Sequence, residues 1–100
     1  MLLEFETYYK LPKSIFEMRR NGKLSLTAFD VIILFLDRSR ISKLIDEKGE
    51  IYFIYTVDEI MDDLNIKNKN CIINAIAELE KNTFIKKKRR YNKPTRYYIL

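Results

Sequence analysis

Two helical segments joined by a short turn, a basic hairpin directly after them and an aromatic strand directly before them predict an α+β fold for this chain, the winged helix-turn-helix. The helices are Val57 to Leu64 and about Asn68 to Lys81, with Asn65-Ile66-Lys67 between them. The hairpin is Phe84 to Arg96, which carries seven basic residues and no acid. Apolar Phe84-Ile85 leads into it, Tyr97-Tyr98-Ile99-Leu100 leads out, and Asn92-Lys93-Pro94 between them is a turn signal, so the segment reads as a charged hairpin and not as a disordered tail. With 100 residues, 47% of them apolar, the chain is one domain with enough material for a single core.

Each element has a local reason. Phe5-Glu6-Thr7-Tyr8-Tyr9 mixes aromatic and polar residues as an extended segment does, and Pro12 suits the first turn of a helix running to about Met18. Arg20-Asn21-Gly22-Lys23 ends that helix. Ser25 is placed to cap the next one, whose apolar positions include Leu26, Phe29, Ile32, Ile33, Leu36 and Ile41. Because Val31 to Leu36 is apolar on every side, the middle of this helix is the expected centre of the core. Asp46-Glu47-Lys48-Gly49 is a turn, and the β-branched and aromatic run Ile51-Tyr52-Phe53-Ile54-Tyr55 is a strand. Thr56 and Glu59 have the spacing of a capping box, in which hydroxyl and carboxylate satisfy free N–H groups at a helix start.

Charge is segregated along the chain. The net value is +5, yet Asp46 to Asp63 hold seven acids against Lys48 alone, so the basic end has a local field larger than the net charge suggests. Phosphate is the commonest partner for such a face. There is no His and a single Cys, Cys71, which excludes a zinc finger, an internal disulfide and any His-dependent triad. Gly22 and Gly49 are the only glycines, so no Gly-rich phosphate loop can be built. Asp62-Asp63 and Glu78/Glu80 are carboxylate pairs without a third ligand, and they read as solvated helix faces. Glu4 and Glu6 follow Met1-Leu2-Leu3 at once, and Val31 to Leu36 is too short to span a bilayer; a soluble cytoplasmic protein is expected. No catalytic residue, metal or cofactor is expected, nor a small-molecule substrate or a membrane.

On a helical wheel, Ile72, Ile73, Ile76 and Leu79 of the second helix of the pair face the core, and Lys67, Asn70, Cys71, Asn74, Glu78 and Lys81 face out. Asn70 and Asn74 lie one turn apart, and an Asn amide can pair bidentately with adenine N6/N7 in the major groove. Lys67 and Lys69 at the helix start can hold phosphate or guanine. Glu78 on the same side implies that the C-terminal half of this helix lifts away from DNA. In the hairpin, strand alternation cannot bury five consecutive cations. Lys86, Lys88, Arg89, Arg90, Lys93 and Arg96 are the candidates for contact with double-stranded DNA, with Arg89 and Arg90 suited to a narrow minor groove. Tyr91 at the hairpin tip can stack or bond a phosphate, but packing is the commoner role of a Tyr there and is the one expected.

Taken together, the sequence resembles the N-terminal domain of the RepA_N family of plasmid replication initiators from Gram-positive bacteria. The resemblance rests on Tyr8-Tyr9-Lys10-Leu11-Pro12-Lys13, on Leu24-Ser25 with Leu36-Asp37-Arg38, and on Asp46-Glu47-Lys48-Gly49-Glu50-Ile51-Tyr52-Phe53-Ile54-Tyr55-Thr56. It continues through Glu59-Ile60, Ala75-Ile76 with Glu78-Leu79-Glu80, and Lys93-Pro94 with Arg96-Tyr97-Tyr98. It implies a winged-helix domain that binds repeated sites in a plasmid origin, usually as a homodimer, and so starts or regulates replication. It also implies a C-terminal domain concerned with the host, so the chain, ending on a strand at Leu100, reads as an excised domain. Leu2, Leu3 and Phe5 offer either a self-association edge or a strand packed on the domain's own core. The helix end at Lys81-Asn82-Thr83-Phe84 lacks the Gly often found there in the family, which leaves Asn82 to supply any left-handed cap. A transcriptional regulator of the same fold and a protein-interaction module whose hairpin binds an acidic partner are the competing readings. An enzyme is the least expected.

Overall fold

The computed structural model describes residues 13–100. The expectations for Phe5 to Tyr9, for Pro12 and for Leu2, Leu3 and Phe5 as an association edge lie outside the described residues. Four helices and two small antiparallel sheets follow in the order α1 (Lys13–Arg20), α2 (Leu26–Ile41), β1 (Leu44–Ile45), β2 (Ile51–Tyr52), α3 (Val57–Leu64), α4 (Lys69–Lys81), β3 (Ile85–Arg90) and β4 (Lys93–Ile99). This is the winged helix-turn-helix that the sequence predicts. No described helix is long and apolar enough to cross a membrane.

Local chemistry sets most helix ends. The Ser25 hydroxyl accepts from the Ala28 amide and starts α2. At α3 the full capping box forms, Thr56 Oγ1 accepting from the Glu59 amide while the Glu59 carboxylate accepts from the Thr56 amide. Asn65 then ends α3 in the left-handed region at φ 55°, which Asn tolerates better than most residues. Its neighbour Ile66 donates back to Met61 O at 3.0 Å, and Asn68 caps α4 by accepting from the Asn70 amide. The helix-turn-helix is therefore held by backbone groups satisfied within a few residues of where they arise. At the other end of α4, Asn82 has φ −86° and Thr83 takes the left-handed conformation at φ 61°, so the cap expected of Asn82 falls one residue later.

The core is built around α2. Ala28, Val31, Ile32 and Phe35 are buried, as expected of its middle, whereas Leu26 and Ile41 at its ends are each 58% exposed. Phe35 packs among Phe53, Tyr55 and Tyr97 with ring centroids 5.0–5.8 Å apart. From α4, Ile72, Ala75, Ile76 and Leu79 complete the interior with Ile60 and Ile85. Ile73, placed in the core by the helical wheel, is 44% exposed; the small Ala75 takes the inward position instead.

The expected strand Ile51 to Tyr55 is shorter than its composition implies. Only Ile51 and Tyr52 pair, with a strand at Leu44–Ile45 that was not expected. Phe53 turns from this hairpin to a bridge with Tyr97, exchanging backbone bonds of 3.0 and 2.9 Å, and so joins the two sheets. The wing turn also differs from expectation. Tyr91 and Asn92 form the two-residue tip between paired Arg90 and Lys93, with Asn92 at φ 55°, and Pro94 lies within β4. Having no N–H for the ladder, Pro94 coincides with a register shift in which Pro94 and Thr95 oppose Arg89 alone.

Candidate nucleic-acid interface

Helix α4 presents Lys69, Asn70, Ile73, Asn74, Ala77 and Lys81 as a solvent-exposed stripe. Lys67 is exposed in the turn just before it, and the first turn of α4 contains no acid. The positive end of the helix dipole is thus reinforced by Lys67 and Lys69, a combination suited to an anion. All four candidates of this segment, Lys67, Lys69, Asn70 and Asn74, lie on one accessible side.

Glu78 does not belong to that surface as expected. It is half-buried, and its carboxylate accepts from the Ser25 amide at 2.8 Å and from the Ser25 hydroxyl at 2.7 Å. The acid on α4 therefore caps α2 from a distance of 53 residues in sequence. Its charge is taken up by the start of a helix, so the reason for supposing that α4 lifts away from DNA is lost.

In the wing, strand alternation sorts the cations onto two faces. Lys86 stands opposite Tyr98 and Lys88 opposite Arg96, on the side away from the core. Lys86 Nζ lies 4.7 Å above the Tyr98 ring. Arg96 is a correction: it is 9% exposed, its guanidinium lies 4.4 Å over the Tyr52 ring, and it donates to Glu47 at 3.2 Å. It holds the hairpins together and is withdrawn from the DNA-contact set. Close by, the Tyr98 hydroxyl donates to Asp46 at 2.9 Å.

The opposite face turns toward α4. Lys87, Arg89 and Arg90 line an open groove with Ile73, Ile76, Thr95 and Tyr97. Arg89 follows from alternation, and Arg90 joins it where the register shifts beside Pro94; it donates to Pro94 O at 3.4 Å. Lys87, which the sequence reading passes over, lies on this side and pairs with Glu80 at 3.8 Å. Its position was legible in principle, because Lys87 and Arg89 share strand parity with the buried Ile85. Lys93 is exposed at the tip, and so is Tyr91, at 90%; the packing role expected of Tyr91 is not what the structure shows. Among the described residues no cluster of His, Cys, Asp or Glu is placed to hold a metal.

The geometry is thus a helix whose middle exposed residues, Asn70, Ile73, Asn74 and Ala77, are uncharged and are flanked by Lys69 and Lys81, beside a cationic β-ribbon. The family model for the replication initiator protein A (RepA) N-terminus matches residues 7–100. The chain belongs to this RepA_N family. No curated protein sequence matches it significantly. Three solved structures resemble the RepA_N domain over 95% of its length. One, described as the N-terminal domain of a DNA-binding protein, has a TM-score of 0.77 at 29% identity and is covered over 75% of its chain. Another, the structure of a Rep–DNA complex, has a TM-score of 0.74 at 29% identity, also with 75% coverage. The third, the structure of an MDR initiator, has a TM-score of 0.74 at 33% identity and 77% coverage.

Proposed function

We propose that this RepA_N domain binds double-stranded DNA at repeated sites of a plasmid origin and thereby initiates or regulates replication. In this reading α4 lies in the major groove, with Asn70 and Asn74 toward base edges and Lys67 and Lys69 toward phosphate. The wing follows the adjacent backbone and minor groove with Lys87, Arg89, Arg90 and Lys93. The observation that carries it is the joint exposure of the α4 stripe and the cationic groove face on one side of the domain. The likeness to a structure of a Rep–DNA complex supports the same reading.

The domain acts by binding and not by catalysis, in the cytoplasm and as a homodimer. A cross-strand pair of exposed residues, Ile45 at 61% and Ile51 at 51%, gives it an apolar patch that a second copy can cover. Sedimentation of wild type against Ile45→Lys tests this, since the variant should sediment as a monomer.

Fluorescence anisotropy on duplex carrying the repeats of its own replicon, against scrambled duplex across a salt series, tests the main reading. Tight binding to the repeats with a salt slope of roughly five to eight neutralised phosphates is expected. Equal, weak and salt-sensitive binding to both duplexes would overturn sequence-specific recognition.

A further inference from the structure

Ile73 is a β-branched aliphatic residue 44% exposed on the face of α4 that carries Asn70 and Asn74. Nothing local favours it there. Ile is a poorer helix former than Leu, Lys or Gln, and an exposed helix position gives it no core to fill. Its flank meets the wing groove, beside Ile76, Lys87, Arg89 and Arg90. One turn further along, the exposed residue is again apolar, Ala77. The exposed residues from Asn70 to Ala77 are therefore two amides, two aliphatic groups and, at the edge of the stripe, the Cys71 thiol, with no basic or acidic side chain.

Along a helix axis these residues span about 10 Å, or roughly three base-pair steps of 3.4 Å. Ile73 can neither donate nor accept a hydrogen bond, so every donor or acceptor on a base edge is closed to it. The one apolar feature of the major groove is the C5-methyl of thymine. Every adenine that an Asn reads is paired to a thymine whose methyl lies in the same groove. The cations at the groove face, Arg89 and Arg90, lie where they can hold a phosphate backbone and press this stripe against the bases.

We propose that Ile73, with Ala77 beyond it, reads thymine methyl groups within the three or so base pairs that Asn70 and Asn74 contact. Ile73 is then a specificity-determining residue, and the bound sequence contains A·T pairs at the position of α4. The inference rests on the DNA-binding reading above.

The test uses deoxyuridine, which pairs as thymine does and lacks only the methyl. The tightest duplex is selected from a randomised pool, each thymine is replaced singly by deoxyuridine, and binding of wild type, Ile73→Ala and Ile73→Val is measured by anisotropy. Replacement at one or two adjacent positions should weaken wild-type binding about fourfold, the equivalent of one buried methyl-sized group at about 0.8 kcal/mol. Ile73→Ala should lose a similar factor on the thymine duplex and bind both duplexes equally, with Ile73→Val between. Wild type that binds every deoxyuridine duplex as tightly as its parent overturns the proposal without a variant being needed. A full thymine preference retained by Ile73→Ala also overturns it. Failure to bind any duplex removes instead the DNA-binding reading on which it rests.

Discussion

The two hairpins share a topology and differ in where their charges go. The short β1–β2 hairpin is acidic and closes on itself: Asp46 accepts from the Lys48 and Glu50 amides at 2.9 Å, and Gly49 turns the chain at φ 84°. The long β3–β4 wing is basic, and Lys88, Arg89 and Lys93 have no acidic partner among the described residues. Where the hairpins meet, the short one supplies Asp46, Glu47 and Tyr52 to hold Tyr98 and Arg96 of the long one. Arg96 is neutralised where the hairpins meet and Lys87 by Glu80, while Lys88, Arg89 and Lys93 stay available. A run of like charge is thus divided by strand parity between cations held within the fold and cations left facing solvent.

The seam between the hairpins is the most sensitive point. Phe53→Ala removes a buried ring packed on Phe35 and Tyr97 and should destabilise the domain by about 3–5 kcal/mol in urea unfolding. A loss below about 1 kcal/mol would show that the two sheets are not one packed unit.

Next in size is the contrast between wing faces. Reversing Lys87, Arg89 and Arg90 to Glu should weaken binding to all duplexes at least about a hundredfold, a few phosphate contacts being lost and replaced by repulsion. The same reversal at Lys86 and Lys88 on the outer face should cost markedly less. Equal losses would mean that the faces do not differ in function.

Asn74→Ala should lower discrimination at one or two base pairs by roughly 1–3 kcal/mol while leaving the salt slope unchanged. Competition binding with point-substituted duplexes reads this directly, and a uniform loss over all duplexes would remove Asn74 from base recognition.

Smallest is the acid limb of stability. Asp46 is held below its usual value of 3.8, chiefly by the Glu50 amide, partly offset by desolvation, with further help from the Tyr98 hydroxyl, the Lys48 amide and Arg96. A carboxyl whose pKa is depressed on folding contributes stability that is present above its unfolded value and is lost as pH falls through its folded one. Wild type should therefore lose stability on acidification below about pH 4, and Asp46→Asn should show a shallower decline over that window in thermal melts at stepped pH. An unchanged slope would show that Asp46 ties the hairpins without energetic consequence.

Helix positions were legible because their causes are local. Thr56 and Glu59 meet within one turn, Ser25 caps its own helix, and Asn65 accepts a left-handed turn, so four or five residues of sequence suffice for each. The exposed half of α4 was legible for the same reason, a repeat of 3.6 residues. Other assignments had no local signature. Ile73, assigned to the core by the wheel, is exposed, while Ala75, which the wheel left unassigned, is buried on the side of α4 that packs into the core. Arg96 resembles its neighbours in every local respect, and only Glu47, 49 residues away, together with the Tyr52 ring distinguishes it. Glu78 likewise finds Ser25 across 53 residues. Sequence alone determined the helices, their order and a basic wing, though not the strand Leu44–Ile45, since caps, turns and periodicity act over a few residues. Tertiary structure decided which cations face α4 and which are held within the fold, because that depends on strand register at Pro94 and on partners that only chain closure brings together.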